Sequence, residues 1–462
     1  MNSRSLAAIL AVALVGTSHA GCTPAASPPN ILLIVLDTVR ADAVGLAWKQ
    51  RPVTPQMDRI ALEGWRFANA YATAPWTLPS HASMFTGLAP SQHGAVHEHF
   101  TLGPEHPTLA EILARRGYTT HGITSNPWVT AERGLARGFG RFEKAYSDIE
   151  AANDKGAARA TQLAVDFIAR ASREDKPFFL FVNYLEAHLP YAPPDAGFEA
   201  LGIEIDSLSR REFTIEQAEE IIAGKRAASA DELALARTLY LGEIAYQDQQ
   251  LGKLLDALRM RNLLDETLVI ITADHGELLG DQGLMGHEFS LSDDLLRVPL
   301  VLRYPPRLPA RQTVTLPVSH LDLLPTVLDV LGESEIPVPL EGKSLLASEA
   351  ISPERALIAE YSQPVTLLGQ YWAARHPDFD SEAYAVSLRS LRKGTRKLVE
   401  NSRGEVTLIE LDLNAATSDG NDLAREIVTI EMRKELASWI TRLKGVEEPL
   451  LIPPDGSDSS IP

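Results

Sequence analysis

The chain alternates between short apolar runs that stop abruptly and longer stretches whose apolar positions recur at helical spacing. Ile31-Leu-Leu-Ile-Val-Leu36 is continuously apolar, and Phe178-Phe-Leu-Phe-Val182 and Leu268-Val-Ile-Ile271 repeat the pattern. Unbroken apolar runs of this length, rich in β-branched and aromatic residues, predict strands covered on both faces. Each run empties into polar residues: Asp37 after the first, Asn183 to His188 after the second, Asp274-His275-Gly276 after the third. Helix-spaced segments lie between them, at Leu109 to Arg116 closed by Gly117, Ala157 to Ala171, and Leu233 to Leu258. Strands alternating with helices predict an α/β fold with a large, mostly parallel central sheet, in which ligands sit beyond the carboxyl ends of the strands. The polar ends then converge on one site.

This pattern holds over a main domain of residues 30–350, interrupted at about 198–230 by a Glu-, Arg- and Ala-rich stretch that predicts a helical insertion. From about Ser352 the runs shorten, at Ala385 to Leu391, Arg396 to Val399 and Val406 to Leu411, and the turns Lys393-Gly-Thr395 and Ser402-Arg-Gly404 join them. Residues 351–446 therefore predict a small C-terminal antiparallel sheet with a closing helix, Leu423 to Leu443. Residues 447–462, with Pro453-Pro454-Asp-Gly-Ser, predict a disordered tail.

The first residues add an address. Arg4, the apolar run Leu6 to Val15 and the small residues before Cys22 form an export signal over residues 1–21, followed by a Pro/Ala/Ser linker at 22–29. Cys22 is the single cysteine, so disulfides within the chain are excluded, and its place after Ala20-Gly21 resembles a bacterial lipoprotein cleavage box. The expectation is a lipid anchor at Cys22 and a periplasmic or outer-membrane location. His19, where such boxes usually carry Leu, and Ser18-x-Ala20 leave a soluble periplasmic protein as the alternative. A net charge of −18 argues against nucleic acid as a partner. Nothing in the sequence specifies an oligomeric state.

Candidate chemistry starts at Thr77-Leu78-Pro79-Ser80-His81, a hydroxyl residue just ahead of a segment able to form a helix. Free N–H groups and the positive dipole end at a helix N-terminus favour an ionised hydroxyl and a bound oxyanion, as transfer to a side-chain nucleophile requires. An isolated Thr-x-Pro-Ser would ordinarily be a helix cap. Context changes that reading. The segments NILLIVLDTVRAD (Asn30 to Asp42), TLPSHASMFTGLAPSQHG (Thr77 to Gly94), FFLFVNYLEAHLPYAPP (Phe178 to Pro194), LVIITADHGELLGDQGLMGH (Leu268 to His287) and LLRVPLVLR (Leu295 to Arg303), in this order, resemble the sulfatase family of the alkaline phosphatase superfamily.

The resemblance implies a metal-dependent hydrolase of a small anionic ester, with Asp37, Thr77, Asp274 and His275 as ligands of one divalent metal. Thr38 stands where sulfatases often have a second Asp, and His275 where they often have Asn. One carboxylate fewer and an imidazole more favour zinc or manganese over calcium, with magnesium also open. His188 and His287 are implied as groups that protonate the leaving oxygen or hold a non-bridging one, and His81 and Asn126 as substrate contacts, Asn126 being equally open to a turn role; Arg40, close after Asp37, pairs either with a carboxylate or with the substrate anion. Usual sulfatases carry Cys or Ser followed by x-Pro-x-Arg and oxidise the first residue to formylglycine. Here Thr77 and His81 take those two places, so no formylglycine is expected. An unmodified Thr resembles the nucleophile of phosphodiesterases and phosphonate hydrolases of the superfamily, which implies a phosphate diester or phosphonate substrate and a covalent phospho-threonine. A sulfuric ester hydrolase using unmodified Thr77, a phospho-transferase and a non-catalytic anion-binding relative are the alternatives.

Overall fold

Strand β1 (Asn30–Leu36) is buried along its whole length, as a run without polar alternation requires. In the computed structural model, which describes residues 28–146, 154–204, 206, 208, 211–333, 340–411 and 422–445, β1 lies in the interior of an eight-stranded sheet. The other strands are β2 (Trp65–Tyr71), β3 (Thr119–Thr124), β4 (Arg141–Lys144), β5 (Phe178–Tyr184), β6 (Thr267–Thr272), β7 (Arg297–Arg303) and β8 (Gln312–Ser319). Their order across the sheet is β8-β2-β7-β6-β1-β5-β3-β4. β1 is parallel to both neighbours, Leu36 lying opposite Tyr184 and Val35 opposite Thr272. Among the described residues of this sheet, β7 alone runs against its neighbours. Parallel pairing brings the carboxyl ends of β1, β3, β5 and β6 to one edge, so the residues after them meet there.

Helices α1 (Thr77–Thr86), α2 (Ala157–Ala171), α3 (Asp195–Leu201), α4 (Ile215–Ile222) and α5 (Ala230–Arg259) accompany the sheet. In α2 the buried positions Ala160, Leu163, Ala164, Phe167, Ile168 and Ala171 fall three or four apart, which places one apolar stripe inward. The predicted insertion is only partly helical: α4 and the start of α5 fall within 198–230, and Gly202 and Gly224, both at positive φ, close the helices before them.

A second sheet joins β9 (Leu357–Tyr361), β10 (Leu388–Lys393), β11 (Arg396–Asn401) and β12 (Val406–Glu410) in antiparallel order. Helix α6 (Asp422–Lys444) adds Met432 and Leu436 to a separate core with Ile358, Leu391, Leu398 and Leu408. This sheet is anchored to the large one. Lys397, 2% exposed, gives its ammonium to Asp293 Oδ1 at 2.7 Å and to the Leu291 carbonyl. The Glu360 carboxylate accepts the Ser91 N–H at 2.7 Å, and the Glu360 N–H bonds the Thr73 carbonyl at 2.8 Å, four residues before Thr77. The expected export signal, Cys22 with its lipid, most of the 22–29 linker and the 447–462 tail lie outside the described residues. No described helix is long and apolar enough to cross a membrane.

Candidate active site

Asp37 follows β1 directly, and its N–H bonds the last carbonyl of β5, Tyr184, at 2.9 Å. The chain then turns through Thr38 at φ +59°, a left-handed conformation that is strained for a β-branched residue. The turn aims the Thr38 N–H at Asp274 Oδ1, 3.1 Å away, and so joins the exits of β1 and β6. Asp37, Asp274 and His275 are all fully buried, and one ligand atom from each lies within 4.8 Å of the others.

Three of these atoms, Asp37 Oδ1, Asp274 Oδ2 and His275 Nε2, have no hydrogen-bond partner in the protein. His275 Nδ1 lies 2.9 Å from the Gly276 carbonyl, which only accepts, so the proton sits on Nδ1 and the lone pair on Nε2. Nε2 is 3.4 Å from Asp274 Oδ2. Two buried carboxylates and an imidazole lone pair facing one another are a poor arrangement without a cation and a good one around it. Burial first and the Asp37 charge second push Asp274 well above the ordinary carboxylate range. Burial also holds His275 well below the usual imidazole value, with the neighbouring His287 acting in the same direction. The donor set therefore fits a divalent metal.

Thr77 opens α1, 3% exposed. No side chain caps this helix end, so the hydroxyl is not used as a cap. Its partner is Asn126, whose Nδ2 donates to Thr77 Oγ1 at 3.3 Å and to Asp37 Oδ2 at 2.7 Å. Asn126 is held in turn by the Trp128 N–H on its Oδ1, at 2.7 Å. Asn183 Nδ2 donates to the same Asp37 oxygen at 3.2 Å. Asn183, legible in the sequence only as part of a polar strand exit, is held in turn by the Thr124 hydroxyl, which donates to its Oδ1 at 3.2 Å.

His188 and His287 stand half-buried above this cluster, ring centroids 5.0 Å apart, with His287 4.6 Å from His275. Their pKa values move in opposite directions. His188 Nδ1 donates to the Leu189 carbonyl, and burial together with the His287 charge lowers its pKa. For His287, burial opposes the charged ring, but Glu277 Oε1 at 3.0 Å from Nδ1 outweighs it and raises the pKa. Glu277 is fully buried and also accepts the Leu189 N–H at 3.3 Å, so it fixes both the imidazole and the loop after His188. Sequence reasoning missed Glu277; its position two residues after His275 was the available signal. Glu277→Gln should shift the alkaline limb of the pH profile of kcat downward by about one unit, because a protonated His287 is lost as pH rises through its pKa and the carboxylate holds that pKa up. An unmoved limb would remove His287 as the proton donor.

Of the two readings of Arg40, the structure shows pairing with carboxylates and not a free group facing substrate. All five N–H donors of Arg40 are occupied: Nε and Nη2 by Asp42, Nη1 by Asp281 and the Glu277 carbonyl, Nη2 also by Asp294. Burial alone would lower its pKa, and these carboxylates more than reverse that. Arg40 is a structural clamp between the β1 exit and the loop beyond β6. His81 is fully buried. One turn after Thr77, its Nδ1 bonds back to the Thr77 carbonyl at 2.9 Å with Asp274 Oδ2 3.6 Å away, so this nitrogen is used within the protein, while Nε2 has no protein partner.

Beside His188 and His287 opens a cavity of about 730 Å³. Trp76, Phe100, Trp128 and Tyr361, joined through His97, form one group of rings in its lining, and Tyr371 and Trp372 another. No local pattern announces this cavity, because its aromatic residues come singly from distant segments.

A family model described as Sulfatase matches residues 29–333. The choline-sulfatase of Rhizobium meliloti is 26% identical over 85% of this chain and 87% of its own. A multifunctional alkaline phosphatase superfamily protein of Trinickia caryophylli is 28% identical over 69% and 76%. Among solved structures, the phosphonate monoester hydrolase of Silicibacter pomeroyi superposes with a TM-score of 0.68 at 21% identity, covering 90% of this chain and 95% of that one. That likeness shows the shared fold.

Proposed function

The chain belongs to the sulfatase family, and from that premise we propose that it is a metal-dependent ester hydrolase in which unmodified Thr77 attacks the phosphorus of a phosphate diester or phosphonate ester. The observation that carries this reading is the set of three partnerless buried atoms on Asp37, Asp274 and His275, next to a Thr77 hydroxyl that caps nothing and is held by Asn126. A divalent cation on these residues and Thr77, with zinc or manganese suiting the imidazole, supplies charge neutralisation and a lower pKa for the hydroxyl.

Asn126 orients Thr77 Oγ1 against Asp37. The ionised oxygen forms a bond to phosphorus in line with the leaving oxygen, the phosphorus–oxygen bond to the leaving group breaks, and the departing oxygen takes a proton from His287. In the second step His188 takes a proton from the incoming water as the water oxygen bonds to phosphorus, and the phosphorus–oxygen bond to Thr77 breaks, returning Thr77 as the ionised oxygen.

Sulfate ester hydrolysis is the second reading, favoured by relatives such as the choline-sulfatase. It requires Thr77 to attack sulfur without an aldehyde hydrate. Matched aryl phosphate monoester, phosphate diester, phosphonate ester and sulfate ester, each tested with zinc, manganese, magnesium or calcium, separate the two. Sulfate turnover without diester or phosphonate turnover would reverse the preference.

A further inference from the structure

His188 sits on the loop that leaves β5, and one buried ion pair bonds the backbone of this loop on both sides of it. Lys155, two residues before α2, gives its ammonium to the Glu186 carbonyl and to Glu243 Oε1, the latter at 2.6 Å. The same Glu243 oxygen accepts the Ala192 N–H at 2.9 Å. Glu243, in the middle of α5, is 1% exposed, and the Lys155 side chain is mostly covered. The pair therefore bridges the backbone two residues before His188 to the backbone four residues after it.

Other elements bond the stretch in between. The Leu189 N–H goes to Glu277, and Tyr191 exchanges two backbone bonds with Phe213 of the insertion, at 2.8 and 2.9 Å. Inside the loop the His188 N–H reaches back to the Leu185 carbonyl at 3.0 Å. Two more buried carboxylates stand near the pair but serve the start of α2: Glu186 Oε1 accepts the Ala157 N–H at 2.7 Å, and Asp154 accepts the Gly156 and Ala158 N–H groups. The contacts of Lys155 and Glu243 are thus directed at the loop itself.

A buried ion pair adds little stability over apolar residues of the same volume, because desolvation offsets the attraction. What this pair supplies is geometry, through charge-assisted bonds that are shorter and stronger than neutral ones. A reacting group misplaced by about 1 Å can lose on the order of a hundredfold in rate.

We propose that Lys155 and Glu243 are positioning residues for His188, holding its imidazole where it meets the water that releases Thr77. The inference rests on the reading of His188 as the acceptor of that water's proton, and deepens it by naming what sets the place of the ring. His287 lies on a different segment, so departure of the alcohol in the first step should depend on the pair far less.

The test compares the zinc-loaded full chain with Lys155→Met, Lys155→Arg and the double variant Lys155→Met with Glu243→Met. One readout is the nuclear magnetic resonance signal of the His188 ring, assigned by its loss in His188→Gln, which does not depend on turnover. The other is rapid-quench single turnover of nitrophenyl methyl phosphate, following nitrophenol and methyl phosphate separately. Lys155→Met should displace the His188 signal and make methyl phosphate release fall about tenfold to a hundredfold behind nitrophenol release, with phospho-Thr77 accumulating. Nitrophenol release itself should stay within about threefold of the wild type. Lys155→Arg keeps a donor for each partner and should restore both readouts. The double variant removes the charge that the single one leaves unpaired, so it should regain the lost melting temperature while its His188 signal and second step stay altered. An unmoved His188 signal in Lys155→Met would overturn the proposal, as would equal slowing of both steps, or a double variant that regains its second step along with its stability. A displaced signal in a protein whose wild type forms no covalent Thr77 intermediate would instead sink the Thr77 reading and leave the positioning inference standing.

Discussion

Thr77→Ala is expected to lower kcat by on the order of 10⁴ to 10⁶, the range seen when a covalent nucleophile is deleted from an otherwise intact site. Folding should be unaffected by comparison, since the hydroxyl caps no helix and its one hydrogen bond among the described residues is the 3.3 Å bond from Asn126. Thr77→Ser keeps the oxygen and should retain measurable turnover, because only a methyl is lost. Acid quench during turnover of a diester, followed by peptide mass analysis, should find the phosphoryl group on the Thr77 peptide in the wild type. A wild-type rate in Thr77→Ala would mean that the nucleophile is a water and that Thr77 only shapes the anion site.

The second large effect is at Asp274, where activity and stability should move in opposite directions. Asp274→Asn removes a ligand and is expected to reduce kcat/KM by about a thousandfold, ~4 kcal/mol of transition-state stabilisation. Without metal, however, the wild-type carboxylate is buried against Asp37, and its folded pKa lies above the unfolded value. Its contribution to stability is therefore full at pH below the unfolded carboxylate value and is lost as pH rises toward the folded one. The metal-free wild type should lose stability on going from acid to neutral pH, and metal-free Asp274→Asn should lose less and melt higher at neutral pH. Added zinc or manganese at a hundredfold over Kd should stabilise the wild type by about 2.7 kcal/mol and the variant by much less. Identical melting curves with and without metal in the wild type would exclude a metal at these residues.

The parallel sheet and the convergence of its polar exits were legible because a strand buried on both faces writes an unbroken apolar run, as at Ile31 to Leu36 and Leu268 to Ile271. β2, with Arg66, Asn69 and Tyr71 among its apolar residues, and the short β9 have no such run and were not predicted. The cluster of Asp37, Asp274 and His275 could be read because each ligand directly follows a readable strand. Arg40 was legible as a group that pairs with a carboxylate or with the substrate, but a guanidinium beside Asp37 in sequence gives no sign of Asp281 and Asp294 folding back onto it. The roles of Glu277 and Asn183, though both sit in readable polar strand exits, and the aromatic lining were not legible for a common reason: their partners are fixed by tertiary packing, which no local pattern encodes.

The anchoring of the small sheet also sets an order of events in folding. Ser91 and Glu360 are bonded across 269 positions, and His97 and Ser362 across 265, so the Trp76 and Trp128 wall meets its opposite face only when nearly the whole chain is available. Loop closure over such separations is a slow and late step. Until it occurs, an aromatic surface made early stands open to water and to other chains. Refolding from denaturant should therefore regain helical circular dichroism before the tryptophan fluorescence of the cavity, and simultaneous recovery would contradict it. A nascent chain of this protein stays sticky until its last third arrives, and benefits from a chaperone for that interval.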